Sequence, residues 1–211
     1  MSLPRLSVIL PTYNRAGSLR HAIKSLLRQM TGTPSYEVIV VDNNSHDGTL
    51  ELLASIDDPK LRGVTATVQG LSDARNRGLA LACGDIVAFT DDDVEVAADW
   101  VRTIVDAFDA NPDVHGVGGR VLPCRMGEGP RWLTLTGANV AFRRSVLDRV
   151  DCVSTDDDDL LAPLHEAGGR VLYVPGLLVV APVHPERPSR GYHGRWHLGH
   201  GDRAFAVTHS S

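Results

Sequence analysis

Two spacings of apolar residues alternate along the first half of the chain. Leu6-Ser7-Val8-Ile9-Leu10, Val38-Ile39-Val40-Val41 and Ile86-Val87-Ala88-Phe89 are short, nearly continuous apolar runs, the pattern of strands buried on both faces. Pro11 closes the first run and restricts Leu10 to extended geometry. Between the runs, apolar residues recur every three or four positions, as in Leu19, Ala22, Ile23, Leu26 and Leu27, which places one stripe on a helix. The same reading predicts a helix carrying Leu50, Leu53 and Ile56, a strand within residues 64–68, and a helix over residues 71–83 stopped by Gly84. A further helix begins near Ala97, carries Trp100, Ile104, Val105 and Phe108, and ends by Pro112.

The second half is less regular. It predicts a strand in residues 114–122, a loop with Gly, Pro and Arg over residues 123–131, and a segment from Thr136 to Phe142 in which Gly137 permits unusual dihedrals or close backbone approach. A helical turn at residues 145–150, a helix at residues 156–167 ended by Gly168-Gly169, and a strand at residues 170–174 follow. From Pro182 onward the chain is rich in His, Arg, Gly and Pro, a tail expected either to order around a ligand or to stay solvated.

Apolar strands alternating with helices predict an α/β fold, a mainly parallel central sheet with helices on both faces. In such sheets ligands bind beyond the carboxyl ends of the strands. That rule gathers residues 12–15, Asp42, the loop before Arg75 and residues 91–93 along one rim. A chain of 211 residues is long enough to bury roughly 70% of its unfolded surface in a single domain. The net charge of −5 gives nucleic acid no general attraction, so an anionic ligand must be held locally. Cys83, Cys124 and Cys152 are odd in number without paired spacing and read as free thiols of a reducing compartment, with small buried hydrophobes the preferred account of them. The apolar residues ahead of Pro11 are too few for a signal-peptide core, and no run reaches the roughly 18 apolar residues of a membrane span. A soluble, cytoplasmic protein without a transmembrane segment is expected; peripheral membrane contact stays open.

The chemistry concentrates in Asp91-Asp92-Asp93, placed by the pattern at an exposed strand end. Carboxylate oxygens are the ligands hard cations such as Mg2+ or Mn2+ prefer, and a cation held by one or two of them keeps positions open for phosphates. The three residues fit equally well as acidic caps of the helix near Ala97.

Five pieces in chain order resemble the inverting family-2 glycosyltransferases of the GT-A fold. They are Ser7-Val8-Ile9-Leu10-Pro11-Thr12-Tyr13-Asn14-Arg15, Val40-Val41-Asp42-Asn43-Asn44-Ser45-His46-Asp47-Gly48-Thr49, Ala74-Arg75-Asn76-Arg77-Gly78-Leu79, Asp91-Asp92-Asp93 and Gly137-Ala138-Asn139. The resemblance covers about residues 6–175. It implies a Rossmann-like GT-A domain over residues 1–181, with a nucleotide-sugar-binding half at 1–112, an acceptor-binding half at 113–181, and the tail at 182–211. It further implies transfer of a sugar from a nucleotide-sugar donor, a UDP- or TDP-sugar, to an acceptor hydroxyl by metal-assisted single displacement, with Mn2+ or Mg2+ as cofactor. The acceptor is left open among a saccharide, a lipid-linked sugar and a small molecule, and no nucleic acid is expected.

The roles implied are these. Pro11, Thr12 and Tyr13 line the nucleoside pocket. The Asp42 carboxylate accepts a hydrogen bond from the base, which suits the imide N–H of uracil or thymine; from local chemistry alone Asp42 is nearly as well explained as a turn residue. Arg15 and Arg75 meet base or phosphate oxygens, although Arg75 also reads as a solvated helix arginine. Asp91 lies near ribose or sugar, Asp92 supports the nucleotide site, and Asp93 holds the metal, which neutralises the departing diphosphate. Gly137, Ala138, Asn139 and Asp156 belong to the acceptor and sugar pocket, whose shape is expected to depend on Gly118, Gly119 and the region of Trp132. Ser45, Asp47 and Asn76 are left to structural roles.

Residues 156–159 are all Asp and occupy the place of the family's acidic motif, which points to Asp157 as the general base; they also suit the dipole and N–H groups of a helix N-terminus. The chain departs from the family in three places. Pro163 replaces a common arginine, residues 150–155 shorten a glycine-rich segment, and Ala181 stands where a metal-binding histidine is expected, with His184 three residues later as the substitute ligand. Two rivals remain: a sugar-nucleotide pyrophosphorylase, poorly supported because residues 10–17 offer only Arg15 and a late Gly17, and a catalytically silent nucleotide-sugar-binding module.

Overall fold

The computed structural model describes residues 3–123, 137–148 and 168–181. The elements are β1 (Leu6–Thr12), α1 (Ala16–Leu27), β2 (Tyr36–Asp42), α2 (Thr49–Ala54), β3 (Leu61–Thr65), α3 (Leu71–Leu81), β4 (Ile86–Phe89), β5 (Glu95–Val96), α4 (Trp100–Ala110), β6 (Gly116–Pro123), β7 (Val140–Arg143), α5 (Arg144–Leu147) and β8 (Val171–Ala181). Among the described residues the strands form one sheet in the order β3-β2-β1-β4-β7-β6-β8-β5. The pairings β3-β2, β2-β1 and β1-β4 are parallel, whereas β4-β7, β7-β6 and β8-β5 are antiparallel and β6-β8 is parallel. The sheet is thus parallel where strands alternate with helices and mixed beyond β4.

Every residue of β1 is buried, because successive side chains point to opposite faces and both faces are covered. Leu6, Val8 and Leu10 join Leu19, Ile23 and Leu26 of α1 and Trp100, Ile104 and Phe108 of α4 in one core, while Ile9, Ile39 and Val41 meet α3 and α5 in the other. Burying Leu19, Ile23 and Leu26 of α1 contributes about 5–9 kcal/mol before chain entropy is charged against it. On the opposite face α3 lies close against the sheet at Gly78, where a Cβ would come within 2.5 Å of Ile9 Cγ2. Strand order reverses at β1, with β2 on one side and β4 on the other. Crevices that take ligands open at such a switch point.

Several boundaries differ from expectation, each for a local reason. β3 spans Leu61–Thr65 rather than residues 64–68, since it is an edge strand whose residues are exposed or half-buried and Val68 beyond it is exposed. In α2 the buried residues are Thr49 and Leu52, while Leu50 is exposed and Ile56 lies past the helix end. α4 begins at Trp100 rather than near Ala97, because Glu95 and Val96 pair with β8 and the Ala97 N–H donates to Leu178 O at 3.1 Å. β8 continues past Pro175 to Ala181, and its pairing with β6 shifts register between Gly119 and Arg120 to accommodate exposed Pro175 and Gly176. The expected helix at residues 156–167 lies outside the described residues.

Candidate functional site

β1, β2 and β4 end together and deliver three loops to the switch point. Thr12 pairs with Asp42 in register, and the Asn43 N–H donates to Thr12 O at 2.8 Å. After β4, the Thr90 N–H donates to Ile9 O at 3.2 Å and its hydroxyl to Ala138 O at 3.0 Å, so the chain enters residues 91–93 from a fixed point.

Asp92 turns inward. Its Oδ2 accepts the Thr12 hydroxyl at 2.7 Å and its Oδ1 accepts Arg15 Nη1 at 3.1 Å. The same Arg15 nitrogen donates to Asp93 Oδ2 at 3.1 Å. The strand end is therefore not exposed as expected: the Asp92 and Asp93 side chains retain 7% and 10% of their surface, while Arg15 retains 46%. Burial pushes the Asp92 carboxyl above the usual carboxylate range, against the opposing pull of the Thr12 hydroxyl and the Arg15 guanidinium. Helix capping does not explain these residues, since α4 starts at Trp100 with Asp99 as its N-cap residue. Arg15, the residue expected to meet base or phosphate oxygens, here bridges two of the carboxylates.

Asp42 is almost fully enclosed, its Oδ1 accepting the Ser45 N–H at 3.1 Å. Its Oδ2 is buried and has no hydrogen-bond donor among the described residues. Asn43, which the sequence reading did not single out, is also buried and receives the Gly70 N–H on Oδ1 at 3.0 Å, tying the β2 loop to the start of α3. Arg75 lies on α3 with 3% of its surface exposed, which excludes a solvated arginine. Pro11 is buried within β1, whereas Tyr13 stands 41% exposed on the loop above it.

The loops after β1 and β2 are fastened to each other. Asn14, at φ 51°, donates its N–H to Ser45 Oγ at 2.9 Å and accepts the His46 N–H on Oδ1 at 2.7 Å. The Ala16 N–H donates to Asp47 Oδ2 at 2.9 Å. Asn residues tolerate the left-handed region better than most, and the sequence signal for this junction is an Asn at the turn of each loop.

On the far side of β4, Gly137, Ala138 and Asn139 are buried. The Asn139 amide is wholly engaged in the fold: Oδ1 accepts Trp100 Nε1 at 2.8 Å, and Nδ2 donates to Arg120 O at 2.9 Å and Leu177 O at 3.0 Å. These three bonds tie α4, β6 and β8 together at the end of β7, the segment expected to border the acceptor and sugar pocket. At Gly119 a Cβ would strike Leu177 O at 2.0 Å, so β6 lies close against β8 there. Trp132, Asp156, Asp157 and His184 lie outside the described residues. Among the described residues no three His, Cys, Asp or Glu side chains converge as a metal site, and no helix is long and apolar enough to cross a membrane.

Residues 7–144 match the family model of glycosyl transferase family 2. The glucosyl-dolichyl phosphate glucuronosyltransferase of Haloferax volcanii is 31% identical over 209 residues, covering 80% of this chain and 66% of that protein. The validoxylamine A glucosyltransferase of Streptomyces hygroscopicus subsp. jinggangensis is 36% identical over 132 residues, covering 61% of this chain and 30% of the other. Among solved structures, the mannosyltransferase PcManGT from Pyrobaculum calidifontis in complex with GDP-Man and Mn2+ superposes with a TM-score of 0.71 at 27% identity, over 94% of this chain and 61% of that one. S. aureus TarS 1-349 in complex with UDP-GlcNAc gives 0.73 at 19% identity, a likeness of fold, over 85% and 59% of the two chains. The chain thus spans two thirds or less of the length of each of these relatives.

Proposed function

The chain belongs to glycosyl transferase family 2 and has the GT-A fold, and from that premise we propose that it transfers a sugar from a UDP- or TDP-sugar to an acceptor hydroxyl, with inversion, by metal-assisted single displacement. The observation that carries the donor reading is Asp42. One of its oxygens is taken by the Ser45 N–H and the other is buried without a donor among the described residues. A buried carboxylate oxygen left without a partner costs stability, and a ligand N–H removes that cost. Uracil and thymine offer a single imide N–H, which matches one free oxygen. Guanine offers adjacent N1–H and N2–H donors that suit a carboxylate with both oxygens free. This favours a pyrimidine donor over the GDP-Man held by the Pyrobaculum enzyme.

The donor set of the rim fits a hard cation. Asp91 and Asp93 are oxygen ligands of the preferred kind, and the bridge from Arg15 to Asp92 and Asp93 already sets a positive charge there. Asp93, with Asp91 beside it, would hold Mn2+ or Mg2+ together with phosphate oxygens and water, and His184 is the proposed additional ligand. When bound, the cation neutralises charge developing on the diphosphate. Asp92 is committed to Thr12 and Arg15 and fixes the loop. Arg75, buried on α3, and Tyr13, exposed above Pro11, are proposed to border the nucleotide. Asp157 is proposed to take the acceptor's proton, with Asp156 beside it in the acceptor pocket.

A thermal-shift panel of UDP, TDP and GDP, each with Mn2+ or with EDTA, tests the donor reading. A ligand at about 100 times its Kd stabilises the folded state by about 2.7 kcal/mol, which for a domain of this size raises Tm by about 5–10 °C. UDP or TDP should do so with Mn2+ and GDP should not; protection by GDP alone refutes the Asp42 argument. Slow metal-dependent release of free nucleoside diphosphate from the matching donor then separates an enzyme from a silent binding module.

A further inference from the structure

We propose that Asp47 is a positioning residue for donor binding, holding Arg15 against the acidic rim by gripping the peptide group that follows it. The inference rests on the reading of that rim as a nucleoside-diphosphate site. Arg15 is the N-cap residue of α1, at φ −138° and ψ 37°, and makes no side-chain cap bond. The N–H groups of a helix's first turn have no partner within the helix and need one from elsewhere. Asp47 supplies it from the neighbouring loop, where its Oδ2 accepts the Ala16 N–H at 2.9 Å. Its Oδ1 accepts the N–H of Thr49 at 3.1 Å and the Thr49 hydroxyl as well. Both oxygens of Asp47 are thereby engaged in orienting other groups. The hydrogen bonds from Ala16 first, and then Thr49, hold its carboxyl below the usual carboxylate range, which keeps it an acceptor at any working pH.

One residue before Arg15 the same loop takes hold again, through the Asn14 N–H to Ser45 Oγ at 2.9 Å and the His46 N–H to Asn14 Oδ1 at 2.7 Å. The backbone on both sides of Arg15 is therefore tied to residues 45–47, while its guanidinium reaches across to Asp92 and Asp93 at 3.1 Å. Arginine side chains have many rotamers, and this one is 46% exposed, so packing alone does not fix it. Where the guanidinium can reach is set by where its Cα is held. With Asp47 removed, the turn of α1 that presents Arg15 loses its cap, and Arg15 must pay the ordering entropy when a diphosphate arrives.

A double-mutant cycle distinguishes this role from plain helix stabilisation. The dissociation constant of UDP, TDP or GDP, whichever binds the parent in Mn2+, is measured by calorimetry for the parent, Asp47→Ala, Arg15→Ala and the double variant, each with its Tm. Asp47→Ala should weaken binding by about tenfold, the order seen when a residue that orients a ligand-binding side chain is lost, and should cause no further loss once Arg15 is already Ala. Asp47→Asn, which keeps one acceptor oxygen, should fall between parent and Asp47→Ala and serves in its place if the latter does not fold. An equal loss in both Arg15 backgrounds, or a lower Tm with unchanged affinity, overturns the positioning role. If the parent binds none of the three nucleotides, the donor-site reading and this inference fall together; if the parent binds and Asp47→Ala binds equally, only the inference does.

Discussion

Replacing Asn139 by Ala tests whether this residue braces the sheet or lines a pocket. The amide sits at 0% exposure and joins three elements: α4 through Trp100 Nε1, β6 through Arg120 O, and β8 through Leu177 O. The substitution leaves the indole N–H of Trp100, itself fully buried, without its acceptor, and takes a donor from two carbonyls. An orphaned buried group costs about 1–3 kcal/mol, and the carbonyls, with a second lone pair each, belong at the low end of that range. The sum is about 3–5 kcal/mol, a large part of the 5–15 kcal/mol by which a domain is typically stable. Urea denaturation followed by Trp fluorescence should show the midpoint falling at unchanged slope. Trp100→Phe removes one of the three bonds and should cost about 1–3 kcal/mol; combined with Asn139→Ala it should cost less than the sum, because both changes delete the same contact. A loss below about 1 kcal/mol for Asn139→Ala, accompanied by a raised KM for the donor sugar, would refute the bracing role and favour the pocket reading.

Three further outcomes are expected. Asp93→Ala should remove the Mn2+-dependent part of nucleotide protection and leave a folded protein, checked by thermal shift with and without EDTA; protection that persists unchanged places the cation elsewhere. Asp157→Asn should keep donor affinity and lower transfer by about 100-fold or more, with Asp156→Asn milder; identical kinetics for the two variants would mark the run as a helix cap. Gly78→Ala should cost about 1–3 kcal/mol in denaturant titrations, since its Cβ would come within 2.5 Å of Ile9 Cγ2 and either α3 or the strand must shift. An unperturbed midpoint would show that α3 is free to move off the sheet.

What the sequence disclosed follows from how each element is buried. β1, β2 and β4 lie at the centre of a sheet covered on both faces, so their apolar runs are nearly unbroken and their ends could be read to within two residues. β3 is half-exposed at the edge, and its burial leaves no apolar run to find. β5 is two residues long and exists only because β8 pairs with it from far along the chain. The rim itself was legible, because strand ends in a parallel sheet share one side; which carboxylate turns inward was not. Asp92 is selected by Thr12, a residue 80 positions away, through a contact that no local spacing encodes. The role of Asn139 was hidden for the same reason, its three partners coming from three separate elements.

The inward turn of Asp92 bears on why a nucleotide at this rim should need a metal. Residues 91–93 carry three carboxyl groups, and Arg15 is already shared between two of them. Two unit charges at about 4 Å near a protein surface interact by about 4 kcal/mol, so a diphosphate brought beside Asp93 meets a repulsion comparable to the free energy of millimolar binding. If Arg15 swings to the diphosphate, Asp92 and Asp93 lose their partner, and the buried Asp92, whose charge burial already disfavours, bears the larger cost. A divalent cation on Asp93, as proposed, would answer both demands at once, by neutralising the outer carboxylate and leaving Arg15 free to share its charge between Asp92 and phosphate. On this argument Arg15→Ala should raise the Mn2+ affinity of the protein without nucleotide, because a competing cation is gone, and lower the affinity of the metal-loaded protein for UDP. Manganese binding followed by electron paramagnetic resonance reads the first effect directly. Weaker Mn2+ binding in the variant would mean that Arg15 builds the cation site instead of competing for it.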